Sequence, residues 1–182
     1  MANILKRYII TGGPGSGKSS LLEALREKGY LCFNETSRRI IREQLDCNGE
    51  MLPWKNLSAF THKNYVLMLE DYHNASSGLN FYDRGLPDIP AYCALGNVMV
   101  DDLHQKAIDE IRYEKIAFIC PPWEEIYVND PERPESYEQS VRVYNLLMHA
   151  YKEAGYQLVE MPKDSVIKRI QFMEEYISRV NF

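Results

Sequence analysis

No run of apolar residues in this 182-residue chain approaches the ~18 that a membrane-spanning helix needs, which excludes an integral helical membrane protein. There is no basic excess either. Lys and Arg number 21 against 26 Asp and Glu, a formal net charge of −5, and that balance disfavours a nucleic-acid binder. Cysteine is sparse: Cys32, Cys47, Cys93 and Cys120 share no CxxC spacing and no histidine at zinc-site distance. They read as free thiols of a reducing cytosol. The four histidines (His62, His73, His104, His149) form no metal spacing and read as non-ligands. Repeats, low-complexity tracts and long linkers are missing. The first ten residues carry Lys6 and Arg7 inside their apolar stretch and make a poor signal peptide. The triplets at Asn34, Asn56 and Asn74 matter only in a secreted chain. The expectation is a cytoplasmic protein of one domain, 1–182, with no membrane or nucleic-acid partner. With 45% hydrophobic and 26% charged residues, the composition is that of a globular chain and excludes disorder.

Short apolar runs alternate with longer periodic ones. Arg7–Thr11, Tyr30–Phe33, Leu79–Asp83, Ile116–Cys120 and Gln157–Met161 read as strands. Helices are predicted at Lys18–Lys28, Ser37–Asp46 and Leu57–His73, with a broken one at Arg84–Leu95 because of Pro87 and Pro90. Tyr137, Val141, Tyr144, Met148 and Tyr151 mark one helix face, opened by a capping box at Ser136 and Gln139. Val166, Ile170, Met173, Ile177 and Val180 mark another. Strands alternating with helices imply a parallel sheet in an α/β layered sandwich, because parallel neighbours need crossover connections. The proline- and charge-rich Pro121–Pro134 reads as a mobile flap, a lid over roughly 123–136.

Gly12-Gly13-Pro14-Gly15-Ser16-Gly17-Lys18-Ser19 fits G-x-x-x-x-G-K-[ST] in full, between a strand and a helix. Glycines turn backbone N–H groups toward an anion, and the following helix N-terminus adds its dipole. Gly13, Pro14, Gly15, Ser16, Gly17, Lys18, Ser19 and Ser20 are therefore the expected phosphate-binding residues. Lys18 would reach the β- and γ-phosphates and Ser19 would ligate Mg²⁺. Asp83, closing the third strand, stands in the Walker B position as a second Mg²⁺ ligand. Arg84 follows it where motor ATPases place a glutamate, and the chain lacks an Asn-Lys-x-Asp guanine motif. An Asp-Arg pair suits phosphoryl transfer, with Arg84 on substrate or on developing charge. The competing reading of Asp83-Arg84 is a helix cap and surface charge. Glu35, after the second strand, points toward the same crevice and could serve an acceptor hydroxyl as base, or simply favour a helix start. Of Arg38 and Arg39, adjacent on a helix, at most one faces substrate. Arg133 in the flap could meet the transferring phosphoryl group, or pair with Glu132 or Glu135 in solvent. Pro162 and Lys163, after the fifth strand, are expected against the nucleotide base. Trp123 and Tyr127 read as packing, with base stacking the alternative.

These stretches (Thr11–Ser20, Asn34–Ile41, Phe81–Leu86, Pro121–Tyr127, Asn129–Ser136 and Gly155–Arg169) resemble a family of small P-loop proteins called AAA-domain ATPases. That family lies within the nucleoside- and nucleotide-kinase-like superfamily. The chain is also similar to the ribosylnicotinamide kinase domain of bacterial NAD regulators and, more remotely, to thymidylate kinases. The resemblance implies a three-layer sandwich with a five-stranded parallel sheet, order 2-3-1-4-5, and a lid. It puts the base or substrate-ligand role on Glu35 and the Asp-Arg pair on Asp83 and Arg84. No second AAA region and no Asp-Glu Walker B accompany it, which speaks against a ring-forming motor. The expected activity is Mg²⁺-dependent phosphoryl transfer from ATP, with GTP as the alternative, to a small hydroxyl or phosphate acceptor. The alternatives are a slow nucleotide-hydrolysing switch with a protein partner and a P-loop that binds nucleotide only structurally.

Overall fold

The computed structural model describes residues 4–128 and 136–180. Strand β1 (Leu5–Gly12) lies at the centre of the sheet, flanked by β3 (Gly78–Asp83) and β4 (Ile116–Cys120). Outside these lie β2 (Leu31–Phe33) and β5 (Gln157–Glu160), giving the parallel order β2-β3-β1-β4-β5. Period-two alternation sorts the side chains. Tyr8 and Ile10 enter one core with Phe118, while Ile9 enters the other with Ala117 and Ile119. The first core is closed by α1 (Lys18–Glu27) and α7 (Val166–Val180). The second is closed chiefly by α4 (Asp88–Leu95) and α6 (Tyr137–Glu153). Helices on both faces make the three-layer sandwich that the family resemblance implies. A smaller core of Ile40, Ile41, Leu52, Phe60 and Leu67 joins α2 (Thr36–Asp46) to α3 (Leu57–His73). No helix among the described residues is long and apolar enough to cross a membrane.

Three elements depart from the sequence reading. The helix expected to break at Arg84–Leu95 instead starts late, at Asp88. Pro87 is its N-cap and Pro90 falls in the first turn, where no intrahelical N–H is required. The face of α6 is rotated: Ser140, Val143, Tyr144, Leu147, Ala150 and Tyr151 are buried, while Val141 and Met148 are half-buried. The Ser136–Gln139 capping box at its start forms as expected. An additional helix, α5 (Asp102–Glu110), is capped by Asp101, whose carboxylate accepts from the Leu103 amide. It buries only His104, Ala107 and Ile108, too faint a stripe to read in sequence.

Candidate functional site

The loop between β1 and α1 sits at the carboxyl end of the central strand. Gly17 is the N-cap of α1 in the left-handed region, φ 77°, and Gly15 is there too, φ 71°. A Cβ at Gly15 would also run into the Tyr127 ring, so glycine is required twice over. Among the described residues, the amides of Gly15, Ser16 and Gly17 donate to no other group. Three unengaged N–H groups at a helix N-terminus suit an anion. The loop is braced from outside by Ser140 Oγ, which donates to Pro14 O at 2.7 Å, and from within by Ser16 Oγ, which donates to Gly13 O at 2.8 Å.

Lys18 is buried, and its Nζ donates to Gly12 O at 3.0 Å and Gly13 O at 2.9 Å. Burial above all, then the neighbouring Arg84 charge, lowers its pKa to about 8. Asp83 and Glu35 act on Lys18 in the opposite sense, so their charges sit close to the ammonium. Ser19 and Ser20 are exposed on the first turn of α1.

Two cavities meet at this turn. The first, about 450 Å³, is lined by the loop from Pro14 to Ser20, Glu35, Arg38, Trp123, Ile126, Val128, Asp164, Ser165, Val166 and Arg169. The second, about 500 Å³, includes Ser19, Glu35, Arg38 and Asp83. Lys18, Ser19, Glu35 and Asp83 thus border a continuous cleft. A serine hydroxyl beside one or two carboxylates fits Mg²⁺, which keeps several waters and takes other ligands from phosphates. No group of three or more His, Cys, Asp or Glu suited to a metal occurs among the described residues.

Glu35 is buried at the start of α2, and its Oε1 accepts from Arg84 Nε at 2.8 Å and from Ser37 Oγ at 2.5 Å. Arg38 Nε stands 3.6 Å from the other oxygen. Arg84 does not take the position expected for it. Its side chain is 1% exposed and lines neither cavity. A left-handed backbone, φ 76°, turns it back into the fold, where NH1 reaches Asp88 Oδ1 at 3.0 Å. Burial opposes the guanidinium charge, but Glu35, Tyr92, Asp88 and Asp83 outweigh it and raise its pKa well above the ordinary value. Asp88 is held in turn by Thr11 Oγ1 at 2.9 Å, the Gly85 amide at 3.0 Å and the Tyr151 hydroxyl. Through Asp88, Arg84 ties Glu35 to β1, α4 and α6.

Pro162 and Lys163 also miss the cavity. Met161 is buried at the end of β5 and Lys163 turns to solvent, so the lining passes to Asp164, Ser165 and Val166. Trp123 and Ile126, around a short 3₁₀ turn at Glu124–Ile126, form the described part of the lid. Arg133 and the rest of the lid up to residue 135 lie outside the described residues.

Arg169 is a site residue the sequence reading overlooked. It is buried on α7, donates to Gly17 O at 3.3 Å, Ser16 O at 3.4 Å and Cys120 Sγ at 2.8 Å, and borders the first cavity. Its signal was an arginine one turn from Val166 on a stripe otherwise apolar. Burial, before any other influence, raises the pKa of the Cys120 thiol beside it.

A family model described as "AAA domain" matches residues 7–169. No curated protein matches. Solved structures are similar in fold at low identity. Shikimate kinase from Acinetobacter baumannii, in complex with shikimate, is 16% identical with a TM-score of 0.61, over 97% of this chain and 96% of that one. Thymidylate kinase from Candida albicans is 16% identical with a TM-score of 0.66, over 97% and 92%. The NadR protein in complex with NR is 19% identical with a TM-score of 0.67, over 88% of this chain but 46% of that longer one. Sheet order, phosphate loop and the match over residues 7–169 agree, and the chain belongs to this AAA domain family of P-loop proteins.

Proposed function

We propose that the chain is a phosphotransferase that moves the γ-phosphoryl group of ATP to a hydroxyl of a small acceptor. The carrying observation is the cleft in which Lys18, Ser19, Asp83 and Glu35 meet, with Glu35 fixed by Arg84. Kinase folds of known activity, among them the shikimate and thymidylate kinases, support the same reading. GTP is the alternative donor.

In this reading the loop amides and Lys18 hold the β- and γ-phosphates, and Arg169 keeps the loop carbonyls turned away from them. Ser19 and Asp83 hold Mg²⁺, which neutralises phosphate charge. The acceptor oxygen bonds to the γ-phosphorus as the bond to the β–γ bridging oxygen breaks, nucleoside diphosphate leaves, and the acceptor proton passes toward Glu35 and solvent. A carboxylate already accepting from Arg84 and Ser37 orients the hydroxyl more than it deprotonates it, which a loose transition state permits. Arg133 of the lid is the proposed cation for the transferring group. The nucleotide base would lie between Trp123 and the Asp164–Val166 turn.

The test is ATP consumption with and without a panel of nucleosides and hydroxylated metabolites. One acceptor should raise turnover at least ~100-fold over basal hydrolysis, since closure without it positions no nucleophile. Glu35→Gln should then cut the acceptor-dependent rate ~10²–10⁴-fold with ATP affinity nearly unchanged. Turnover that ignores every acceptor and responds instead to a protein partner would favour the slow switch.

A further inference from the structure

A third cavity, about 330 Å³, lies among α2, α3, α4 and α6. It shares Pro14 with the nucleotide cavity, and Ser37 links it to Glu35 by the 2.5 Å hydrogen bond described above. An occupant could therefore extend from this pocket past Ser37 to the phosphate loop. None of the described side chains that line it is charged. Its walls are Phe60, Tyr92, Ile41 and Leu57, and Trp54, 60% exposed, stands at its mouth. Together these side chains make a concave, largely apolar lining of the kind that small ligands occupy.

The polar side chains of the lining are Ser37, Thr61, Asn64, Tyr92 and Gln139, and Asn64 is the buried amide among them. Asn64 is only 7% exposed, and its Oδ1 accepts from the Thr36 hydroxyl. That bond fixes the amide, and among the described residues Nδ2 donates to no partner. The free Nδ2 keeps some accessible surface, so its two protons can be offered to a ligand carbonyl or ring nitrogen that enters the pocket.

We propose that this pocket is the acceptor site, and that it takes an uncharged, flat-ring alcohol such as a nucleoside, read by Asn64 and covered by Trp54. The proposal rests on the phosphotransferase reading and narrows its acceptor. A phosphate or carboxylate on the acceptor would meet no cation among the described lining residues and would face the Glu35 carboxylate at the reacting end. A neutral hydroxyl meets neither penalty.

The chain has two tryptophans, one at each cavity, so each site carries its own reporter. In Trp123→Phe, the remaining Trp54 fluorescence is titrated with adenosine, guanosine, cytidine, uridine and thymidine, and with their 5′-monophosphates. At least one nucleoside should give a saturable change, with its monophosphate at least about tenfold weaker. Asn64→Leu should weaken that nucleoside about 10- to 100-fold. If Asn64→Leu fails to fold, Trp54→Ala, on the surface, should weaken it about tenfold by calorimetry. Equal or tighter binding of monophosphates, or no response to any nucleoside, overturns the proposal. ATP is titrated in parallel against Trp123 in Trp54→Phe. Saturation there with silence at Trp54 removes only the acceptor class, whereas silence at both removes the phosphotransferase reading.

Discussion

Nucleotide binding should take up a proton near pH 8.5, and the proton should land on Lys18. Without ligand, Lys18 is enclosed by its own loop and its pKa is lowered from 10.5 to about 8, by burial first and then by Arg84. Phosphate oxygens against the ammonium would restore its charge. At pH 8.5 a group with a pKa of about 8 is about three-quarters deprotonated, so binding should absorb roughly 0.7 proton. Affinity should fall about tenfold per pH unit well above pH 8. Calorimetry in two buffers of different ionisation enthalpy measures the uptake directly. The same shift bears on stability. The folded pKa lies below the unfolded one, so the unfolded chain holds more protons between pH 8 and 10.5, and stability rises with pH across that window. Below pH 8 the buried charge costs on the order of 3 kcal/mol. Lys18→Met should therefore unfold at higher urea than the wild type at pH 7, and the gap should close toward pH 10.5. No proton uptake at pH 8.5, together with an affinity flat from pH 7.5 to 9.5, would refute the reasoning.

Two further substitutions probe the frame around the loop. Arg84→Met leaves Glu35 and Asp88 buried without their shared cation and should cost about 3–5 kcal/mol in urea denaturation; a loss below 1 kcal/mol would deny the network its role. Gly15→Ala meets both the left-handed backbone and the Tyr127 ring, so nucleotide affinity should drop at least ~10-fold, with partial recovery in Gly15→Ala/Tyr127→Ala. Wild-type affinity in the single variant would mean that the loop does not need this shape.

What the sequence made legible was local. The phosphate loop is eight consecutive residues, and the strands around it read as short, apolar-rich segments of four or five residues. The sheet order came from resemblance rather than from any period. What stayed hidden depends on residues brought together from afar: Arg84 and Glu35 are 49 positions apart, and Tyr151 and Asp88 are 63 apart. Arg84 looked available because an arginine after a Walker B aspartate is adjacent to the chemistry in sequence. Its left-handed backbone, which no one-dimensional pattern reveals, aims it the other way. Asn64 lies on a helix that is apolar on more than one face, where no single polar position stands out in the sequence. Only the packing of α2 against α3 shows that its amide borders a cavity.

The grip of Arg169 on the loop has a consequence for the order in which the protein becomes competent. The carbonyls of Ser16 and Gly17 are held by a side chain 153 and 152 positions downstream. On the ribosome, all five strands emerge before that arginine does. A nascent chain halted after β5 would thus carry the whole phosphate-loop sequence and a complete sheet, yet its loop would lack the brace that α7 supplies. Nucleotide capture would begin only after α7 docks, so the fold's earliest motif becomes functional through one of its latest elements.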